Sequence, residues 1–204
     1  MIHDSVHKAE QSPSRLGLGS YGWQHHHWDG MFYPDDLPAD WWLGYYANEF
    51  SAVLVPQSDW QADTGFDMAS WQDDVSEEFR FYIEWPFDDA DGKSPQLCLQ
   101  QCQSLGDLLG GIIVNQDMEL TTDLPVYYRG QSAALEQQIW TPENNAPSGV
   151  ALLMLAAGNL REQRKWLEQF AVSSEHLHCV LLADASIDIN SLRDFKTLVE
   201  LLGL

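Results

Sequence analysis

The sequence has few basic residues, since ten Lys and Arg stand against 31 Asp and Glu and give a formal net charge of −21. Nucleic acids and anionic membranes attract proteins through basic patches that displace counterions. Ten basic residues leave little from which to build such a patch. The composition therefore argues against a nucleic acid or a membrane as partner, and we expect a small polar ligand or another protein instead.

Cysteines and long apolar runs are also scarce. The three cysteines, Cys98, Cys102 and Cys179, form an odd set that does not suit a disulfide framework. The first residues contain no apolar core of a signal peptide, and the longest apolar run, near Val150, has only about eight residues. We therefore expect a protein of the reducing cytoplasm.

The hydrophobic content of 45% is ample for one packed core. Residues 1–14 are polar and include Pro13, which predicts a flexible tail. Residues 15–204 are expected to form a single domain, because 204 residues suit one domain.

Short apolar runs alternate with helical patterns along the chain, which predicts an α/β fold. Strands that are apolar on both faces and separated by helices form parallel sheets. About seven such units indicate a TIM-barrel-like barrel that is shortened or irregular, because the usual barrel needs about 250 residues. The predicted strands are 16–20, 52–55, 79–85, 112–114, 126–128, 150–155 and 177–182.

Helices are predicted from Pro38 onward, over 96–109, over 160–171 and at the carboxyl end. Gly110 and Gly111 are expected to end the second helix. Ser191 is expected to cap the last helix, with Asp194 as its capping-box partner. Residues 57–64, which include Trp60, are predicted to form a polar loop.

The most unusual stretch is 17–34, GLGSYGWQHHHWDGMFYP. Gly17, Gly19 and Gly22 match the spacing of a dinucleotide-binding fingerprint. However, the glycines belong to a predicted strand and its end, and no helical pattern opens after Gly22. They are better explained by a tight turn and a close approach of backbones.

Three pieces of this stretch resemble the opening signature of the YecE-like family, also called domain of unknown function 72. They are GSYGW at 19–23, HWDG at 27–30 and FYP at 32–34. Tyr45-Tyr46-Ala47, Phe50 and Val53 are similar to the helix and strand that follow in that family. The resemblance implies a TIM-barrel-like fold in a divergent and shortened member. The activity of the family is not established, so the resemblance implies a fold rather than a function.

The chain also departs from the family pattern. Leu54 and Pro56 replace a glutamate and an asparagine, Glu84 replaces a favoured lysine, and Tyr127 replaces a second glutamate, while Arg129 is retained. Active sites of TIM barrels lie at the carboxyl ends of the strands. We therefore interpret the chain as a degenerate barrel with a binding or interaction role.

The alternative is an enzyme that acts on a small sugar- or phosphate-like substrate at the carboxyl-terminal mouth of the barrel. Its candidate catalytic residues are His27, Asp29 and Arg129. Trp23, Trp28 and Tyr33 would then stack on the substrate, and Arg129 would bind an anionic group. Packing of the aromatic side chains and an ion pair of Arg129 are the competing interpretations.

No cofactor is predicted. His25 and His27 are alternate residues of an extended segment, so both imidazoles could face one divalent metal ion if Asp29 or another carboxylate supplied a third ligand. The competing interpretation is a loop in which one of the adjacent histidines is hydrogen-bonded and the others are exposed.

Overall fold

The computed structural model describes residues 16–61, 67–85, 95–114, 120–129, 138–155 and 159–204. The predicted tail, 1–14, lies outside these residues. Seven strands are present in the described part of the chain: β1 (Gly17–Tyr21), β2 (Ala52–Val55), β3 (Arg80–Glu84), β4 (Leu109–Val114), β5 (Val126–Tyr128), β6 (Val150–Leu153) and β7 (Cys179–Leu182).

All seven strands belong to one parallel sheet with the order β5-β4-β3-β2-β1-β7-β6. Neighbouring strands are adjacent in the chain except at β1, which pairs with β2 on one side and with β7 on the other. Most residues of the strands are apolar, as expected for strands that are covered on both faces.

Residues 138–140 connect the two edge strands, β5 and β6. The Ile139 N–H donates to the Tyr128 carbonyl at 3.0 Å, and the Trp140 N–H donates to the Val150 carbonyl at 2.9 Å. The Trp140 carbonyl in turn accepts the Leu152 N–H at 2.9 Å. Through these backbone hydrogen bonds, residues 138–140 link β5 at one edge of the sheet to β6 at the other edge. The prediction of an irregular, TIM-barrel-like α/β fold with about seven units is confirmed.

The described helices are α1 (Trp42–Ala47), α2 (Gln57–Gln61), α3 (Pro95–Ser104), α4 (Leu160–Ala171) and α5 (Ile189–Leu201). Short 3₁₀ helices occupy His26–Trp28, Ala39–Trp41, Met68–Asp74 and Gly106–Leu108. The part of the chain described between β4 and β6 contains no helix, which makes the barrel irregular on that side.

Two hydrophobic clusters lie on opposite faces of the sheet. The inner cluster is enclosed by the strands and includes Leu54, Tyr82, Ile113, Leu152 and Leu181. The larger outer cluster packs the other strand faces against the helices and the opening loop. Alternate residues of each strand contribute to the two clusters, as the geometry of a strand requires.

Gly110 and Gly111 do not end a helix, as the sequence predicted, but lie inside β4. A Cβ atom at Gly110 would lie 2.6 Å from the Tyr82 ring, and one at Gly111 would lie 2.5 Å from the Tyr127 ring. The glycines therefore make room for two tyrosine rings.

Two further local predictions are wrong. Ser191 does not cap α5: the cap is Asp188, whose carboxylate accepts the Ser191 N–H at 3.0 Å and the Ser191 hydroxyl. The segment that starts at Gln57 is not a polar loop, because it forms α2 and buries Trp60. In both places a short polar sequence suits a helix start as well as a turn.

Candidate functional site

Three polar side chains come together at the carboxyl-terminal mouth of the barrel. Tyr21 ends β1, Glu84 ends β3, and Arg129 follows β5. Because the strands are parallel, these ends meet at one rim of the barrel, where binding residues of such folds are found. Asp59 joins them from α2, which follows β2.

Glu84 is the centre of this group. The Tyr21 hydroxyl donates to Glu84 Oε2 at 2.5 Å, and the Gln57 backbone N–H donates to the same oxygen at 3.1 Å. Glu84 is only 8% exposed. A buried carboxylate is costly unless donors satisfy it, so these contacts fix both its position and its orientation.

Asp59 and Arg129 lie close enough to this pair for their charges to act on it. Burial raises the pKa of Asp59, and the nearby charge of Glu84 raises it further. Burial also raises the pKa of Tyr21, with added contributions from the hydrogen bond to Glu84 and from the charges of Glu84 and Asp59, whereas Arg129 lowers it. The mouth thus combines two carboxylates, a phenol and an exposed guanidinium.

The opening loop folds against this mouth through a turn at Gly22. Gly22 has a φ of 78°, which favours glycine, and its carbonyl accepts the Ser20 hydroxyl at 2.7 Å. A Cβ atom at Gly22 would lie 3.5 Å from the Asp59 carboxylate. The turn therefore places Gly22 beside Asp59.

Two predicted catalytic residues, His27 and Asp29, lie in the next part of the loop. His27 Nε2 is 2.9 Å from the Ile187 carbonyl, and Asp29 is exposed and lies 3.6 Å from the exposed His26 ring. The charge of Arg129 acts on Tyr21 at the mouth, where it lowers the pKa of the phenol. The joint catalytic role of His27, Asp29 and Arg129 stays a prediction.

The aromatic side chains predicted to stack on a ligand are packed into the protein. Trp23 is 3% exposed and meets Trp71 edge to face at 5.1 Å. Trp28 is fully buried and donates its indole N–H to the Ile187 carbonyl at 2.9 Å. Tyr33 is 1% exposed, stacks on Trp42 at 4.7 Å and donates its hydroxyl to the Trp23 carbonyl. These contacts hold the opening loop in place.

His25 and His27, the candidate metal ligands, have ring centroids 5.1 Å apart. Burial lowers the pKa of His25 to about 4, and the charge of His27 lowers it as well. His25 Nε2 is buried without a hydrogen-bond partner. Within the described residues, no three His, Cys, Asp or Glu side chains are placed to share a metal ion. A divalent ion at these histidines stays a prediction.

The sequence interpretation did not assign a function to Tyr21, Asp59 or Glu84. One signal was available for Glu84, because it shares a strand face with Tyr82 and is the last residue of an otherwise apolar and aromatic strand. Burying an ionisable group in such a place costs free energy, so the group is expected to have a specific partner. Nothing comparable in the sequence pairs Tyr21 with Glu84, which lies 63 residues away.

The model of the family described as "Protein of unknown function DUF72" matches residues 17–88. This region contains Tyr21, Asp59 and Glu84. Over these residues the chain resembles the DUF72 family. It is the same family as the YecE-like one whose signature the opening stretch resembles. No curated protein matches the sequence.

Solved structures of DUF72 proteins share the fold. A DUF72 family protein from Thermotoga maritima is 12% identical, with a TM-score of 0.57 over 91% of this chain and 99% of that chain. A DUF72 family protein from Enterococcus faecalis is also 12% identical, with a TM-score of 0.55 over 93% of this chain and 98% of that chain. At this identity the likeness establishes the fold alone.

Among the described residues, no helix is both long and apolar enough to cross a bilayer.

Proposed function

We propose that this protein binds a small polyhydroxylated, sugar-like ligand at the carboxyl-terminal mouth of its barrel. The proposal rests chiefly on Glu84, a carboxylate that is held at the end of β3 by Tyr21 and Gln57 and is almost completely buried. A carboxylate fixed in this way can accept ligand hydroxyl groups without first being ordered.

The charges at the mouth favour hydroxyl groups over phosphate. Glu84 and Asp59 would both repel a phosphate, and a single guanidinium, Arg129, would face them. Two carboxylates are instead well suited to accept hydrogen bonds from neighbouring hydroxyls. The exposed Arg129 can donate to ring or hydroxyl oxygens from the rim.

Binding can be tested by saturation-transfer NMR with a panel of neutral mono- and disaccharides. We expect at least one sugar to bind the wild-type protein, and Glu84→Gln to weaken that binding at least tenfold. Glu143→Gln, at an exposed carboxylate on the protein surface, is the matched control and should bind like the wild type. Binding that is unchanged in Glu84→Gln would contradict the proposal.

A second candidate function, hydrolysis of a glycosidic bond, is favoured by the raised pKa of Asp59. A carboxyl group whose pKa is raised beside a second carboxylate is the arrangement that glycosidases use for a general acid and its partner. In this hypothesis Asp59 would protonate the leaving oxygen, and Glu84 would act as the partner carboxylate.

Hydrolysis can be tested with a panel of p-nitrophenyl glycosides. If Asp59 is the general acid, turnover should fall as the pH rises through its pKa, and Asp59→Asn should lower kcat at least about 100-fold for substrates with poor leaving groups. Sugar binding without any turnover in the wild-type protein would leave the binding function and remove the enzymatic one.

A further inference from the structure

The opposite end of the barrel contains a cavity of about 850 Å³. It opens where the strands begin, so it is separate from the mouth that contains Glu84. Residues at the first positions of several strands line it, including Gly17, Ala52, Arg80, Leu109 and Cys179. Its volume is in the range of small-molecule sites, about 300–1,000 Å³.

The cavity exists because small residues occupy the inner positions at this end. TIM-like barrels normally fill their interior with layers of large branched side chains. Here Gly17, Ala52 and Gly110 line the space instead. Gly19 has no space for a side chain, because its Cβ atom would lie 2.3 Å from the Ala52 carbonyl oxygen. The first layer of the usual barrel core is therefore not filled by side chains of β1 and β2.

Polar groups line the inner part of this cavity. The Tyr82 and Tyr127 rings lie 6.3 Å apart, and Tyr82 is hydrogen-bonded to the thiol of Cys179. Tyr82 is 2% exposed and Cys179 is 1% exposed. Two phenols and a thiol at the inner end of the cavity, beside Ala52 and Leu109, offer hydrogen bonds without a charge.

The cations of the lining already have backbone partners. Arg80 Nη1 donates to the Glu77 and Phe79 carbonyls at 2.6 and 2.7 Å, and Lys196 Nζ donates to the Glu49 carbonyl at 2.8 Å. The other charged residues of the lining are the carboxylates Glu49, Glu78 and Glu200, which would repel an anionic ligand. A charged ligand that reached the inner phenols and thiol would have no charged partner there.

We propose that this cavity binds a neutral, flat aromatic molecule that carries a hydrogen-bond acceptor. The ring would lie between the apolar walls beside Tyr82 and Tyr127, and the acceptor would receive the Tyr127 hydroxyl. This site is independent of the sugar-binding function proposed for the other end of the barrel.

The proposal can be tested with prodan, a neutral naphthalene that has one carbonyl acceptor and a polarity-sensitive emission. We expect saturable one-to-one binding and a blue shift. Ala52→Leu should fill the cavity and lower the affinity at least tenfold. Ala39→Leu, the same substitution at an exposed position, should bind like the wild type.

A second variant keeps the test valid if Ala52→Leu does not fold. Tyr127→Phe removes the donor without changing the volume, so the affinity should fall about three- to tenfold. Glu84→Gln, at the other end of the barrel, should leave prodan binding unchanged and so separates the two sites. Failure of the wild-type protein to bind prodan, or equal affinity in folded Ala52→Leu or in Tyr127→Phe, would overturn the proposal.

Discussion

The Tyr21 hydroxyl donates to Glu84 Oε2 at 2.5 Å, from the end of β1 to the end of β3, although β2 lies between these strands in the sheet. The bond therefore spans the width of one strand at the mouth of the barrel. It connects two strand ends that the sheet's own hydrogen bonds do not pair directly.

Replacing Tyr21 by Phe should lower the free energy of unfolding by about 1–2 kcal/mol, because Glu84 loses the Tyr21 donor while the Gln57 N–H continues to donate to it. Urea denaturation at pH 7 measures the change. Tyr45→Phe, at an exposed tyrosine, should change it by less than about 0.5 kcal/mol. Equal effects of the two substitutions would show that the contact adds nothing to stability.

Gly19→Ala should destabilise the protein by about 3 kcal/mol or more. The new methyl group would lie 2.3 Å from the Ala52 carbonyl oxygen, and β1 could not keep its register with β2. Gly44→Ala is the control, because Gly44 lies in α1 and its Cβ would be 3.4 Å from the Asp74 carbonyl. We expect Gly44→Ala to raise the free energy of unfolding by up to about 1 kcal/mol, because alanine has a higher helix propensity than glycine.

A large loss of stability in Gly44→Ala, or no loss of stability in Gly19→Ala, would contradict this description of the strand contact. Thermal unfolding followed by circular dichroism distinguishes the two outcomes. The size of the effect at Gly19 also tests whether close approach explains this glycine of the opening signature.

The ion pair of Arg193 with Glu49 should contribute more than an ordinary surface pair. It is bidentate, at 2.7 and 2.8 Å, and joins α5 to the segment after α1. A double-mutant cycle at pH 7 should give a coupling energy of about 0.5–1 kcal/mol. The pair of Arg164 with Glu168, four residues apart on α4, should give only about 0.3–0.5 kcal/mol.

This coupling should depend on pH. The hydrogen bond from Arg193 lowers the pKa of Glu49, so the stabilisation is present above the unfolded pKa of Glu, about 4.3, and is lost as the pH falls through the lower folded value. Repeating the cycle near pH 3 should therefore give a smaller coupling. A coupling that is the same at both pH values would be the contrary result.

His25 should make the protein less stable in acid. Its pKa is lowered to about 4 in the folded state, chiefly by burial, against about 6.5 when unfolded. Between about pH 6.5 and 4, the unfolded state therefore binds a proton at His25 that the folded state does not bind. The free energy of unfolding should decrease as the pH falls through this range. His25→Gln should lower the number of protons taken up on unfolding in this pH range by up to one. His176→Gln, at an exposed histidine, should leave that number unchanged.

Urea titrations at several pH values measure this proton uptake. If His25→Gln and the wild type have parallel pH profiles, the His25 ring takes up its proton equally easily in the folded and unfolded states. That result would also mean that the burial of Nε2 in the opening loop does not affect its protonation.

The sequence predicted the strands well because they consist mainly of apolar residues that are buried on both faces. Strands 52–55 and 126–128 have the predicted bounds, as does the helix Leu160–Ala171. Gly110 and Gly111 were misjudged because glycine ends helices and also makes room for neighbouring rings. The Tyr82 and Tyr127 rings that need this room come from other strands, so no local pattern reveals them.

The candidate site was harder to predict than the fold. The opening stretch drew attention to histidines and tryptophans, yet Trp23, Trp28 and Tyr33 are held in packing and backbone contacts. The polar group at the mouth depends on strand order, which brings Tyr21 and Glu84 together over 63 residues. Such a long-range contact becomes visible only when the barrel is assembled.

A ligand site formed by Glu84 and Asp59 at the carboxyl-terminal mouth of the barrel can be observed in a crystal structure of the protein soaked with the tightest-binding saccharide. We expect ligand hydroxyls within about 3 Å of both the Glu84 and the Asp59 carboxylates. A saccharide bound elsewhere, with Tyr21 and Glu84 untouched, would contradict it.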